Sequence, residues 1–139
     1  MTTNARSTSP SRRLIFLAAE ALGGAAAGLV LAAALGFAGA RVFAGSSSGW
    51  GDLVAALMGS LIGYTIGVSA GVALVGRRLG QRGSYWPALL GSVLGVALVL
   101  LAAEPLRLNA SPALLQATFA IVAPILSALM FTMGLRLRK

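Results

Sequence analysis

Four residues of this 139-residue chain could carry chemistry, and Glu20 is the first of them. It is the one acidic residue inside a long apolar stretch, where a carboxylate is costly and is a functional hypothesis by default. Arg77 and Arg78 follow a second apolar stretch, and Tyr64 is the most central hydroxyl within it. These residues form a possible ion-pair or proton site, in which Tyr64 could line a polar cavity.

The composition excludes most other active-site chemistry. The sequence has no Cys, no His and only 3 Asp+Glu. Thiol catalysis and iron–sulfur clusters need Cys, serine triads need His, and zinc or haem sites need ligands that are scarce here. We therefore predict no catalytic, cofactor-binding or metal-binding residue, and we expect that the chain is not an enzyme.

The hydropathy of the chain indicates that its solvent is lipid. Hydrophobic residues make up 58% and charged residues 10% of the sequence, whereas soluble domains carry about 25% charged residues. A transmembrane helix needs about 20 mostly apolar residues. Four stretches qualify, at about residues 14–43, 52–75, 85–103 and 112–135. Because short Gly-, Ser- and Arg-rich loops join them, we predict an all-α, up-down-up-down, four-helix transmembrane bundle.

The N-terminal residues allow two interpretations. Residues 1–11 lack apolar periodicity, so we expect a disordered cytoplasmic tail before a single transmembrane domain at 12–139. Paired arginines before an apolar run are also found in twin-arginine export signals, with cleavage here after Ala44. The apolar region of about 27 residues exceeds the 7–15 of a signal peptide, so an uncleaved helix is preferred.

Basic residues define the predicted orientation in the membrane. Nine Lys and Arg residues fall on one side of a four-span chain, and only Arg41 and Arg107 fall on the other. Cytoplasmic segments are enriched in Lys and Arg, so both termini should be cytoplasmic in a bacterial inner membrane. The sequence has no basic helix with interleaved aromatic residues, so it does not indicate nucleic acid as a partner. The expected partner is the lipid bilayer. The nine residues are Arg6, Arg12, Arg13, Arg77, Arg78, Arg82, Arg136, Arg138 and Lys139.

Small residues recur at every fourth position in the first two predicted spans. Residues four apart share one helix face, and helices in lipid associate through small residues that let their backbones approach. We predict that the first two helices pack as a glycine zipper, either within one chain or between subunits. The packing glycines are Gly24, Gly28 and Gly36 in the first span, Gly59, Gly63, Gly67 and Gly71 in the second, and Gly91 and Gly95 in the third.

Pro124 lies near the middle of the fourth predicted span. Proline lacks a backbone donor and its ring clashes with the carbonyl four residues earlier, here that of Ala120. We therefore predict a kink, which is either a packing feature or a gating hinge.

Residues 59–84, GSLIGYTIGVSAGVALVGRRLGQRGS, combine the glycine-rich helix with a basic, Gly-rich loop. This segment resembles small bacterial membrane proteins of unknown function that are recognised by a glycine-zipper helix followed by such a loop. The resemblance implies membrane location and close helix packing, and it implies no activity.

Two classes of function remain open. The first is a non-enzymatic integral membrane protein, an accessory or assembly subunit or a self-associating bundle, whose partners are other membrane subunits or its own copies. The second is a small proton-coupled transporter or oligomeric channel that uses Glu20 and Tyr64. For Glu20 the preferred hypothesis is a salt bridge to Arg77 or Arg78 near Gly71, and the alternative is a proton-carrying role.

Overall fold

The computed structural model describes residues 10–42, 44, 50–81 and 83–136, and these residues form helices and turns without any strand. Four α-helices follow one another in the chain: α1 (Pro10–Val42), α2 (Gly51–Arg78), α3 (Tyr85–Ala103) and α4 (Pro112–Arg136). A short 3-10 helix, Leu108–Ala110, precedes α4. Each α-helix is long and apolar enough to cross a membrane. The all-α, four-helix prediction is confirmed, and the chain is a multi-pass membrane protein.

Two helix ends differ from the sequence prediction. α1 begins at Pro10, so the last residues of the predicted 1–11 tail are helical, and residues 1–9 lie outside the described part of the chain. α2 continues to Arg78, so Arg77 and Arg78 lie in its last turn and not in a loop. Basic residues are favourable there because the C-terminus of a helix carries a partial negative charge. Arg82 is not among the described residues.

α2 ends in a Schellman motif centred on Gly80. The Gln81 amide donates to the Gly76 carbonyl over 2.9 Å, and the Gly80 amide donates to the Arg77 carbonyl over 3.0 Å. Gly80 has φ of +79°, a left-handed conformation that glycine adopts without a steric penalty. This turn directs the chain back towards α3.

The helices form two closely packed pairs. α1 packs most extensively on α2 and α3 on α4, and the contacts between the two pairs are smaller. A Cβ atom built on any of four glycines of α2 would lie nearest to one carbonyl oxygen of α1, and the residue number of that carbonyl falls by four each time the glycine number rises by four. The pairs are Gly59 with Leu35, Gly63 with Leu31, Gly67 with Ala27, and Gly71 with Gly23. α1 and α2 are therefore antiparallel.

The outer surface of the bundle is apolar. Large exposed side chains occur on all four helices, for example Leu22, Leu57, Leu101 and Ile121. Water would make such a surface aggregate, whereas the hydrocarbon core of a bilayer solvates it. The outer surface is therefore the part of the chain that contacts lipid.

Candidate functional site

The contact between α1 and α2 requires glycine because main-chain atoms occupy the space of a side chain. A Cβ atom on Gly67 would lie 2.5 Å from the Ala27 carbonyl oxygen and 2.8 Å from the Gly28 Cα. A Cβ atom on Gly71 would lie 2.5 Å from the Gly23 carbonyl oxygen. Real Cβ atoms essentially never approach within 3.0 Å. The small-residue faces of the two helices thus contact each other within a single chain.

The glycines of α1 on this face contact side chains of α2. A Cβ atom on Gly24 would lie 2.8 Å from Val72 Cγ2, and one on Gly28 would lie 2.6 Å from Val68 Cγ2. A Cβ atom on Gly36 would overlap the Ser60 hydroxyl. The contact therefore combines the flat glycine face of α2 with a face of α1 into which valine side chains insert.

A similar contact joins α3 and α4. A Cβ atom on Gly91 would lie 2.6 Å from the Leu126 carbonyl oxygen, and one on Gly95 would lie 2.5 Å from the Ala123 Cα. The partner number again falls as the glycine number rises, so these two helices are also antiparallel. Both glycines are fully covered by α4, and a larger residue at either position would separate the pair.

Tyr64 connects α2 to α4. Its hydroxyl donates a hydrogen bond of 2.7 Å to the Phe119 carbonyl oxygen, and its ring packs edge-on against the Phe119 ring. The side chain is buried. Because its single donor is used for this contact, Tyr64 acts in helix packing in this structure.

Three serines make further contacts between helices. Ser92 of α3 donates to the Thr65 carbonyl of α2 over 3.1 Å, and Ser127 of α4 donates to the Ala88 carbonyl of α3 over 2.8 Å. The Ser69 hydroxyl of α2 lies 3.2 Å from the Tyr85 hydroxyl of α3 and 2.9 Å from a carbonyl oxygen of its own helix. All three serines are fully buried. They were not among the predicted site residues, since a hydroxyl in an apolar helix can equally bond its own backbone.

Pro124 lies inside α4, which continues on both sides of it. It is fully buried, and its Cβ lies 3.6 Å from the position of a Cβ on Gly24. Pro124 therefore packs against α1 at Gly24, where α1 has no side chain. The kink remains a prediction.

Glu20 is fully buried, with 0% of its surface exposed. Among the described residues, its two carboxylate oxygens are the only buried side-chain polar atoms without a hydrogen-bond partner. Arg77 and Arg78 are exposed. The predicted salt bridge is therefore wrong for this structure. Oε1 instead lies 3.3 Å from the position of a Cβ on Gly76, where α2 approaches α1.

The ring of Phe131 fills the space beside this carboxyl group. Phe131 is fully buried, and its Cζ would lie 2.8 Å from a Cβ atom on Gly76. Its Cε1 would lie 2.6 Å from a Cβ atom on Gly83, in the connection between α2 and α3. The ring thus lies against two glycines from different segments, with Glu20 on the Gly76 side. Nothing in the sequence marked Phe131 or Gly83 as part of a site.

The described residues contain no group of three or more His, Cys, Asp or Glu that could hold a metal ion. Comparison with known proteins adds no relative, because no protein family, curated protein or solved structure matches this chain.

Proposed function

We propose that this chain is a non-enzymatic protein of a bacterial inner membrane that acts as an accessory or assembly subunit or as a self-associating bundle. In this proposal α1 and α2 pack as a glycine zipper within an up-down-up-down bundle. Both termini are cytoplasmic, because nine of the eleven Lys and Arg residues then lie on that side. The resemblance of residues 59–84 to small glycine-zipper membrane proteins also favours this location.

One observation carries this function: the buried hydroxyls are used to join helices. Tyr64 and Ser127 each donate a hydrogen bond to a main-chain carbonyl of a neighbouring helix, and Ser92 lies within hydrogen-bond distance of a carbonyl of α2 and of one in its own helix. The hydrogen bonds of these hydroxyls are therefore made within the bundle and not to a ligand. A compact bundle with an apolar outer surface is suited to binding other helices in the membrane.

Copurification tests this function. The tagged chain, expressed at its native level, is extracted in a mild detergent and its complexes are separated by size. We expect a defined complex with other membrane subunits or with further copies of the chain. A monomer that retains no partner after gentle extraction and after chemical cross-linking in the membrane would contradict the proposal.

Glu20 favours a second function, a small proton-coupled transporter or oligomeric channel. Its carboxyl group is buried without a hydrogen-bond partner among the described residues. Intramembrane carboxyl groups are rare and often belong to proton relays. The test is proton flux in liposomes of the purified protein under an imposed pH gradient. Flux that is lost in Glu20→Gln and kept in Glu104→Gln supports this function, and flux equal to that of empty liposomes rejects it.

A further inference from the structure

We propose that Glu20 is a proton-binding site of the bundle and that the Phe131 ring closes its path to water at the end formed by α2 and α3. This inference deepens the second proposed function by naming the ion and the residue that controls access. It concerns the state of the site itself, so the experiment below detects it whether or not ions cross the membrane.

The burial of Glu20 argues that its ligand is a proton. An ionised carboxylate is strongly disfavoured away from water, and neither oxygen of the buried Glu20 has a hydrogen-bond partner among the described residues that would stabilise the charge. Metal cations such as Ca²⁺ require six or more oxygen ligands, whereas Gly76, which lies beside the Glu20 carboxyl, and Phe131, which packs on Gly76, offer no side-chain oxygen. A proton completes the carboxyl group without any further ligand.

Charged and titratable groups lie at this end of the bundle on every helix. On α1, Arg13 precedes Glu20 by seven residues, about 10 Å along the axis, and it is exposed. On α2, Arg77 and Arg78 are exposed. On α3, Tyr85 is half-buried against the cluster that includes Phe131.

α4 ends at Arg136, five residues beyond Phe131. The positive charges of Arg13, Arg77 and Arg78 favour an ionised carboxylate on Glu20. Glu20 therefore retains its proton only while water is excluded from the site. If the site opens, Glu20 loses the proton more readily.

The position of Phe131 shows what excludes water. The ring contacts the backbone of α2 at Gly76 and that of the following connection at Gly83. Neither glycine has a side chain that could cover the carboxyl group, and the Phe131 ring fills the space that side chains at Gly76 and Gly83 would occupy. Displacement of one side chain, Phe131, would expose the acid without separating the helices.

Carbodiimide labelling measures both parts of the proposal in the full-length protein in detergent. A carbodiimide adds to a protonated carboxyl group: the acid proton moves to one nitrogen and the carboxyl oxygen bonds to the central carbon. The resulting O-acylisourea rearranges to a stable N-acylurea, which retains all atoms of both reactants. Peptide mass spectrometry then assigns the label to Glu20, Asp52 or Glu104. The last two are exposed and serve as internal references.

We expect the hydrophobic reagent dicyclohexylcarbodiimide to label Glu20, with a rate that falls as pH rises. A water-soluble carbodiimide should label Asp52 and Glu104 but leave Glu20 largely unmodified. In Phe131→Ala the water-soluble reagent should reach Glu20 at least about tenfold faster, because the opening that exposes the acid becomes more favourable. Phe131→Leu keeps an apolar side chain at this position, so the water-soluble reagent should label Glu20 at a rate between those of Phe131→Ala and the unmodified protein.

Phe119→Ala is the matched control, because it removes a ring from the same helix beside Tyr64 and away from Glu20. Equal acceleration in Phe119→Ala and Phe131→Ala would overturn the role of Phe131. Labelling of Glu20 by the water-soluble reagent in the unmodified protein would overturn it as well. Failure of dicyclohexylcarbodiimide to label Glu20 at any pH would overturn the proton site. If Phe131→Ala does not fold, the same comparison is made with Phe131→Leu.

Discussion

Replacing Gly67 with alanine tests the contact between α1 and α2 with the smallest available change. The added Cβ would lie 2.5 Å from the Ala27 carbonyl oxygen and 2.8 Å from the Gly28 Cα, whereas ordinary van der Waals contact begins at 3.4 Å. Both obstacles are main-chain atoms, so no side-chain rotation can relieve the overlap. The two helices must therefore move apart at this position.

The expected loss of stability is about 1–2 kcal/mol. A gap of about 0.5–1 Å removes a quarter to a half of the dispersion energy of the atoms that face it, and overpacking typically costs about 1–3 kcal/mol. Alanine also has a higher helix propensity than glycine by up to about 1 kcal/mol, which acts in the opposite direction. Because Gly63 and Gly71 belong to the same face and make the same kind of contact, the separation should extend beyond a single turn.

The free energy of unfolding in mixed detergent micelles measures this loss. Ala70→Leu is the matched control, since Ala70 lies on α2 three residues from Gly67 and is exposed. It should change stability by less than about 0.5 kcal/mol. Leu61→Ala is less suitable as a control, because Leu61 is half-buried and packs against the buried cluster around Tyr64. Equal effects of Gly67→Ala and Ala70→Leu, or a more stable Gly67→Ala, would refute the reasoning.

Three further outcomes are expected. Tyr64→Phe keeps the ring but removes the hydrogen bond to the Phe119 carbonyl, so the same unfolding assay should show a loss of about 0.6 kcal/mol, typical of hydrogen bonds in membranes. Ser127→Ala removes the 2.8 Å bond from α4 to α3 and should lose a similar amount, whereas an unchanged stability would indicate that water replaces it. Reporter fusions at Lys139 and within residues 46–49 should give a cytoplasmic and a periplasmic signal, respectively, and a periplasmic C-terminus would contradict the proposed orientation.

The helices and their small-residue faces could be predicted because each depends on local sequence. A span is set by a run of apolar residues about as long as the hydrocarbon core, and α3 was predicted at its observed limits, Tyr85–Ala103. Four-residue spacing selects one helix face whatever the tertiary structure. The sequence could not decide whether the small-residue faces of α1 and α2 pack within one chain or between chains, because the same faces could form either contact. That choice required the positions of Ala27 and Leu31 opposite the glycines.

The partner of Glu20 could not be predicted because it depends on the rotation of α2 about its axis. Each helical residue turns the side-chain direction by about 100°. Gly76 faces the Glu20 carboxyl, so the side chains of Arg77 and Arg78 leave the helix in directions about 100° and 200° away. Both are accordingly exposed. A rotation of α2 by about 100°, the angle of one residue, would decide whether Gly76 or an arginine faces Glu20. The spacing of residues in the sequence does not fix this rotation.

Glu20 is fully buried although it lies beside the last turn of α2. Gly76, the residue of α2 beside it, is only two residues from the end of that helix, about 3 Å along the axis. Polar side chains near helix ends usually extend to the aqueous interface. The carboxyl group is buried here, and one aromatic ring from α4 occupies the space left by Gly76 and Gly83. An acid buried so close to the end of a helix is isolated from water by the packing of side chains from other helices. Its access to water can therefore change without any change in the helices themselves.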